Sequence, residues 1–97
     1  MTKVTRVNMI EFNSEAEMKE QQSWFQANGP SLFPECILLT SVQTGPISVM
    51  SISVYPDQET ADASLETREK LMSTTRFKDQ FNLEGEVQRL QINKRIY

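Results

Sequence analysis

The feature that most constrains this chain is a long stretch without charge. No Asp, Glu, Lys or Arg occurs from Cys36 to Pro56, although the 97 residues include 10 Lys+Arg and 13 Asp+Glu. The stretch divides at "QTGP" into "CILLTSV" and "ISVMSISVY". Two runs rich in β-branched and apolar residues around a Gly-Pro turn predict a β-hairpin. A hairpin with one face in water would show charged side chains there. This one shows none on either face, so both faces are expected to be covered. With Val42 opposite Ile47, Ile37 and Leu39 share a face with Met50 and Ile52. Cys36, Leu38 and Thr40 then share the other face with Val49, Ser51 and Ser53.

The flanking segments supply the remaining elements. Val4 to Phe12 is rich in apolar and β-branched residues and predicts a strand. Ser14 with Glu17 three positions on fits a capping box, opening a helix that should end near Asn28, where Gly29 and Pro30 follow. Its periodicity is weak: Met18 and Phe25 share a face, with Gln21 and Gln22 between them. Asp57 caps a second helix, in which Ala61, Ser64, Leu65, Arg68, Leu71 and Met72 form one stripe opposite Glu59, Asp62, Glu66, Glu69 and Lys70. The stretch "STTRFKDQF" reads as a frayed continuation or a short extra turn carrying Phe77 and Phe81. Gly85 then precedes a last strand, "EVQRLQINKRI", in which Leu90, Ile92 and Ile96 alternate with Arg89, Gln91 and Arg95.

The order strand, helix, strand, strand, helix, strand is the split βαβ arrangement of a ferredoxin-like α+β domain. It implies a four-stranded antiparallel sheet with two helices on one face. A length of 97 residues allows one domain spanning residues 1–97. A chain of this size buries roughly two-thirds of the surface its unfolded form exposes and gains from a partner. The helix-free sheet face needs a cover, and a second copy of the sheet is the economical one, giving a homodimer.

Asn8 on the first strand, "VYPDQETADAS" where Tyr55 and Pro56 lead into an Ala-rich helix, and "FNLEGEVQRL" before the last strand together carry a family likeness. Through them the chain resembles the dimeric α/β-barrel superfamily, and within it the antibiotic-biosynthesis mono-oxygenase (ABM-like) domains. The resemblance implies two sheets pairing into a dimeric α/β barrel. It does not imply an activity, because fold does not dictate function.

Several chemistries are excluded by composition. There is no histidine, which removes Ser-His and Cys-His nucleophile pairs, the commonest general base and the commonest metal ligand. Haem-degrading members of the superfamily use an Asn, a Trp and an axial His. This chain has Asn8, but its only Trp, Trp24, falls on the first helix, and that activity is rejected. Cys36 is the sole cysteine, so it can form no internal disulfide or cysteine-pair metal site. No cofactor and no metal are expected. The net charge of −3 and the lack of a basic cluster argue against nucleic acid and anionic membranes. An RNA-recognition motif shares the element order, but "ISVMSISVY" lacks its stacking aromatics. No signal peptide or membrane span is legible, and a cytoplasmic location is expected.

The candidate site residues are Asn8, Ser51, Ser53, Tyr55 and Arg68. The hairpin parity points Ser51, Ser53 and Tyr55 away from the helices into the barrel. Asn8 is assigned to the same face because Val7 and Met9, on its flanks, suit packing under helices. Small side chains at successive inward positions leave room for a ligand. Asn8 and Tyr55 are also the weak catalytic candidates; otherwise they are a buried polar group and a strand-end aromatic with a wet hydroxyl. Arg68 either snorkels to the helix edge or pairs with an anionic group. Trp24 with Phe25 reads as core packing, and Cys36 as a small hydrophobe. Two functions follow. The protein binds a small apolar or aromatic molecule in the barrel, or serves as a dimeric interaction module. Alternatively it is a cofactor-independent mono-oxygenase acting on a phenol or quinol.

Overall fold

The structure is a computed structural model and describes residues 2–92. Its elements are β1 (Val4–Glu11), α1 (Glu15–Leu32), β2 (Leu38–Gln43), β3 (Ser48–Tyr55), α2 (Gln58–Ala63), α3 (Leu65–Thr74) and β4 (Asp79–Glu86). The strands form one antiparallel four-stranded sheet in the order β2-β3-β1-β4, the ferredoxin-like α+β arrangement.

Both helix starts follow from their caps. Ser14 Oγ accepts from the Glu17 amide at 3.2 Å, and Asp57 Oδ1 accepts from the Thr60 amide at 2.7 Å. The Glu17 carboxylate takes Asn13 Nδ2 at 3.3 Å. The end of α1 differs from expectation, because the helix continues through Gly29 and Pro30 to Leu32. Phe33 is the reason. It is 8% exposed, its amide donates to Gly29 O at 3.0 Å, and its ring packs on Phe25 with centroids 6.2 Å apart. That burial outweighs the hydrogen bond forfeited at proline. The second helix divides at Ser64, whose hydroxyl donates to Ala61 O at 2.7 Å.

Two registers overturn the sequence expectation. Leu38 lies opposite Val54 and Val42 opposite Met50, one position in parity from the expected pairing. The loop is the cause: the Thr44 amide donates to Ser48 O at 3.0 Å, so the turn takes in Ile47. Leu38, Thr40 and Val42 therefore share a face with Met50 and Ile52, whereas Leu39 and Ser41 lie beside Ser51 and Ser53. The last strand lies at Asp79–Glu86 rather than Glu86–Ile96; Leu90 and Ile92 follow it outside any strand, and Ile96 lies outside the described residues. Pairing with β1 along its full length and the 2.7 Å ion pair Arg6–Glu84 hold β4 there.

Burial alternates along β1, with Val4, Arg6, Asn8 and Ile10 buried. These side chains lie under the helices. Ile10, Phe12, Met18 and Val49 form one core cluster with Met72 and Phe77 against it, and Val4, Tyr55 and Ala61 form another. The opposite sheet face is apolar and open: Met9 is 38% exposed, Val42 48%, Phe81 57% and Leu83 55%.

Candidate functional site

Asn8, Ser51, Ser53, Tyr55 and Arg68 line one cavity, and it lies under the helices rather than in the barrel. The expected orientation is thus reversed. Asn8 stands opposite Ser51, Arg6 opposite Ser53 and Val4 opposite Tyr55, so all of these point to the helix-covered face. Arg6 fixes that choice. Its Nη1 donates to Ala61 O at the end of α2 and to Ser64 Oγ at 3.0 Å, which holds the even-numbered side chains of β1 beneath the helices. Val7 and Met9, expected there, lie on the open face beside Ile52 and Met50. Sequence parity failed because both faces of β1 and β3 are largely uncharged.

The strands supply the cavity floor, with Leu39 of β2 beside the β1 and β3 residues. Gln21, Gln22 and Phe25 of α1 and Arg68, Leu71 and Met72 of α3 close it from above. Its volume is about 40 Å³. At roughly 10–15 Å³ per water by the same measure, that holds about three waters. An open groove of about 840 Å³ adjoins it and shares Gln22, Phe25, Phe33 and Leu39 with it. The Phe25–Phe33 pair therefore stands between groove and cavity.

Three polar atoms at the cavity are buried and without a hydrogen-bond partner among the described residues: Asn8 Oδ1, Ser53 Oγ and Arg68 Nε. Native interiors rarely leave such groups unpaired, since each costs about 1–3 kcal/mol. The two arginines differ sharply. Arg6, which the sequence reading missed, is 5% exposed but satisfied by Glu84 at 2.7 Å and Asp62 at 3.5 Å. Its guanidinium also lies 5.6 Å from the centre of the Tyr55 ring. Arg68 makes no ion pair with any described residue. Burial pulls the Arg68 guanidinium below its ordinary value, and the like charge of Arg6 adds to this against opposing influences from Tyr55 and Cys36. The signal for Arg6 was its place in the alternation Val4, Arg6, Asn8, Ile10.

The remaining candidates fall elsewhere. Tyr55 is 1% exposed, so it belongs to the core rather than to a wet strand end. Trp24 is 45% exposed on a cleft with Glu17, Gln21 and Arg76, contrary to the expected core packing. Cys36 Sγ donates to Leu38 O at 2.8 Å, and burial pushes the thiol up, away from the thiolate needed for a nucleophile. The residues Glu59, Asp62, Glu66 and Glu69 are exposed, with Glu66 paired to Lys70 at 3.3 Å. No group of three His, Cys, Asp or Glu side chains among the described residues is arranged to hold a metal ion. No helix among them is long and apolar enough to cross a membrane.

The same fold recurs in solved structures. A protein of unknown function from Nitrosomonas europaea is 15% identical with a TM-score of 0.76, over 97% of each chain. A dimeric ferredoxin-like protein from an uncultured marine organism is 15% identical with a TM-score of 0.71, over 97% of this chain and 95% of its own. SnoaB, a cofactor-independent oxygenase from Streptomyces nogalater, is 16% identical with a TM-score of 0.65, over 91% of this chain and 95% of its own. Monooxygenases, one of them of antibiotic biosynthesis, are further structural neighbours. No family model matches the chain, and no curated protein matches it. At these identities the likeness defines the fold: a ferredoxin-like α+β domain of the kind found in dimeric ferredoxin-like proteins and ABM-like monooxygenases.

Proposed function

We propose that the chain folds as a single domain, forms a homodimer through its open sheet face, and binds a small apolar or aromatic molecule between the sheet and the helices. The observation that carries the binding reading is the orphaned set Asn8 Oδ1, Ser53 Oγ and Arg68 Nε around one cavity. A fold selected only for stability would fill such a space or satisfy those atoms. The small Ser51 and Ser53 keep it open at the strand where larger residues would close it. At about 40 Å³ the cavity is smaller than a ring, so a ring-sized ligand displaces the Gln21, Gln22 and Phe25 side chains of α1 toward the adjoining groove.

The homodimer rests on the exposed apolar sheet face and on the dimeric ferredoxin-like neighbour. The binding test is calorimetric titration with 1-naphthol and phenol. Saturable binding by the wild type, lost in Ser51→Phe while the fold is retained, supports the reading. Absence of binding to the wild type, or binding unchanged in Ser51→Phe, contradicts it.

A second reading is favoured by SnoaB, which has this fold and is a cofactor-independent oxygenase. In it the same cavity holds a phenol or quinol for reaction with oxygen, with Asn8 and Tyr55 orienting the ring. Oxygen uptake above buffer with hydroquinones, abolished in Asn8→Leu, supports this second reading. Ligand binding without uptake leaves the first alone.

A further inference from the structure

We infer that the cavity receives the acidic head of a small hydroxy acid, its carboxylate meeting Arg68 and Ser53 and its hydroxyl donating to Asn8, with the apolar body extending past Phe25 and Phe33. This rests on the reading of the cavity as a ligand site and specifies the chemistry of its occupant. The argument is one of complementarity. Arg68 Nε is a cationic donor, Ser53 Oγ donates or accepts, and Asn8 Oδ1 accepts, and all three are buried and without a partner among the described residues. The apolar or aromatic body of the proposed ligand would by itself leave every one of them unsatisfied, so the molecule needs a polar head. A neutral hydroxyl would answer Asn8 but leave the cation without a counter-charge, which a low-dielectric site penalises most. A carboxylate with a neighbouring hydroxyl answers all three.

Charge and volume agree with this. Arg6, also on this face, is already matched by Glu84 and Asp62, so the unmatched positive charge is that of Arg68. A space of about 40 Å³ admits a head group without the side-chain displacement that a ring requires. The groove beyond the Phe25–Phe33 pair is about 840 Å³ and is lined by Pro30, Pro34 and Leu39 as well as Gln26, Thr40 and Ser41, an uncharged setting for the body. The opening on the other side of Arg68 is lined by Arg6 together with its ion-pair partners Asp62 and Glu84, a set whose charges already answer one another.

The probes are 3-phenyllactate, its neutral amide 3-phenyllactamide, and 3-phenylpropionate, which lacks the hydroxyl, titrated by calorimetry into the intact protein with 1-naphthol alongside. The wild type should bind 3-phenyllactate about tenfold more tightly than the amide, in keeping with a charge-assisted hydrogen bond. It should also prefer 3-phenyllactate to 3-phenylpropionate. Arg68→Gln should lose the preference over the amide and melt no lower than the wild type. Equal binding of 3-phenyllactate and its amide, or a preference that survives in Arg68→Gln, overturns the acidic-head assignment while 1-naphthol binding leaves the cavity reading intact. If neither 1-naphthol nor any of the acids binds, the cavity reading itself fails and this inference falls with it. The comparison of acid and amide uses the wild type alone, so it stands even if the variant does not fold.

Discussion

Removing the Ser53 hydroxyl should leave the protein as stable as before or more so, because that oxygen is 2% exposed as part of its residue and has no partner among the described residues. Ser53→Ala trades an unsatisfied buried group for a methyl, and a gain of up to about 1 kcal/mol is expected. Arg6→Ala should behave oppositely. It deletes the donors to Ala61 O and Ser64 Oγ and the 2.7 Å pair with Glu84, and it empties space under α2. A loss of about 2–4 kcal/mol is expected. Urea denaturation measures both. A Ser53→Ala variant that loses more than about 1 kcal/mol would mean that the hydroxyl is satisfied in the folded protein and is not poised for a ligand.

The element scale shows what the sequence discloses and where it stops. Caps are local chemistry, and so Ser14 and Asp57 announced α1 and α2 correctly. The hairpin was legible from its uncharged runs, but its register was set by the Thr44–Ser48 closure, which no residue type demands. The β4 segment "DQFNLEGE" contains Asn, Gly and acids, so that its "DQF" reads as the frayed continuation of the second helix and Gly85 as the residue before the last strand. Its strand conformation comes from pairing with β1, a tertiary effect that overrides propensity. For the candidate site, small residues on β3 and a cation on an apolar stripe pointed to side chains that the fold gathers around one cavity. The side of the sheet was not legible, because β1 and β3 carry similar side chains on both faces, and Arg6 decides it through contacts with distant Ala61 and Ser64.

Asp57 gives an element-scale test. Its bonds from the Thr60 amide and side chain hold the carboxyl below its ordinary value of 3.8. The contribution is therefore complete above the unfolded pKa and is lost as pH falls through the lowered folded pKa. Melting temperature followed below about pH 4 should fall less steeply in Asp57→Asn than in the wild type, since the amide keeps an acceptor without titrating. Parallel pH profiles would show that Asp57 is not the titrating cap.

The whole molecule presents two unlike sheet faces, one closed by helices over the cavity and one exposed and apolar. Placing charge on the open face should separate the protomers without touching the cavity: Phe81→Glu with Met9→Glu should turn a dimer into an 11.2 kDa monomer by light scattering at micromolar concentration. A wild type that is already monomeric would contradict the assembly. The central claim is that ligand enters beneath the helices, and backbone amide shifts during titration with 1-naphthol test it most directly. The account predicts perturbations gathered at Asn8, Ser51, Ser53, Tyr55 and Arg68, which line the cavity. Perturbations gathered instead at Val7, Met9, Met50 and Ile52, on the open face, would contradict it and return the site to the barrel.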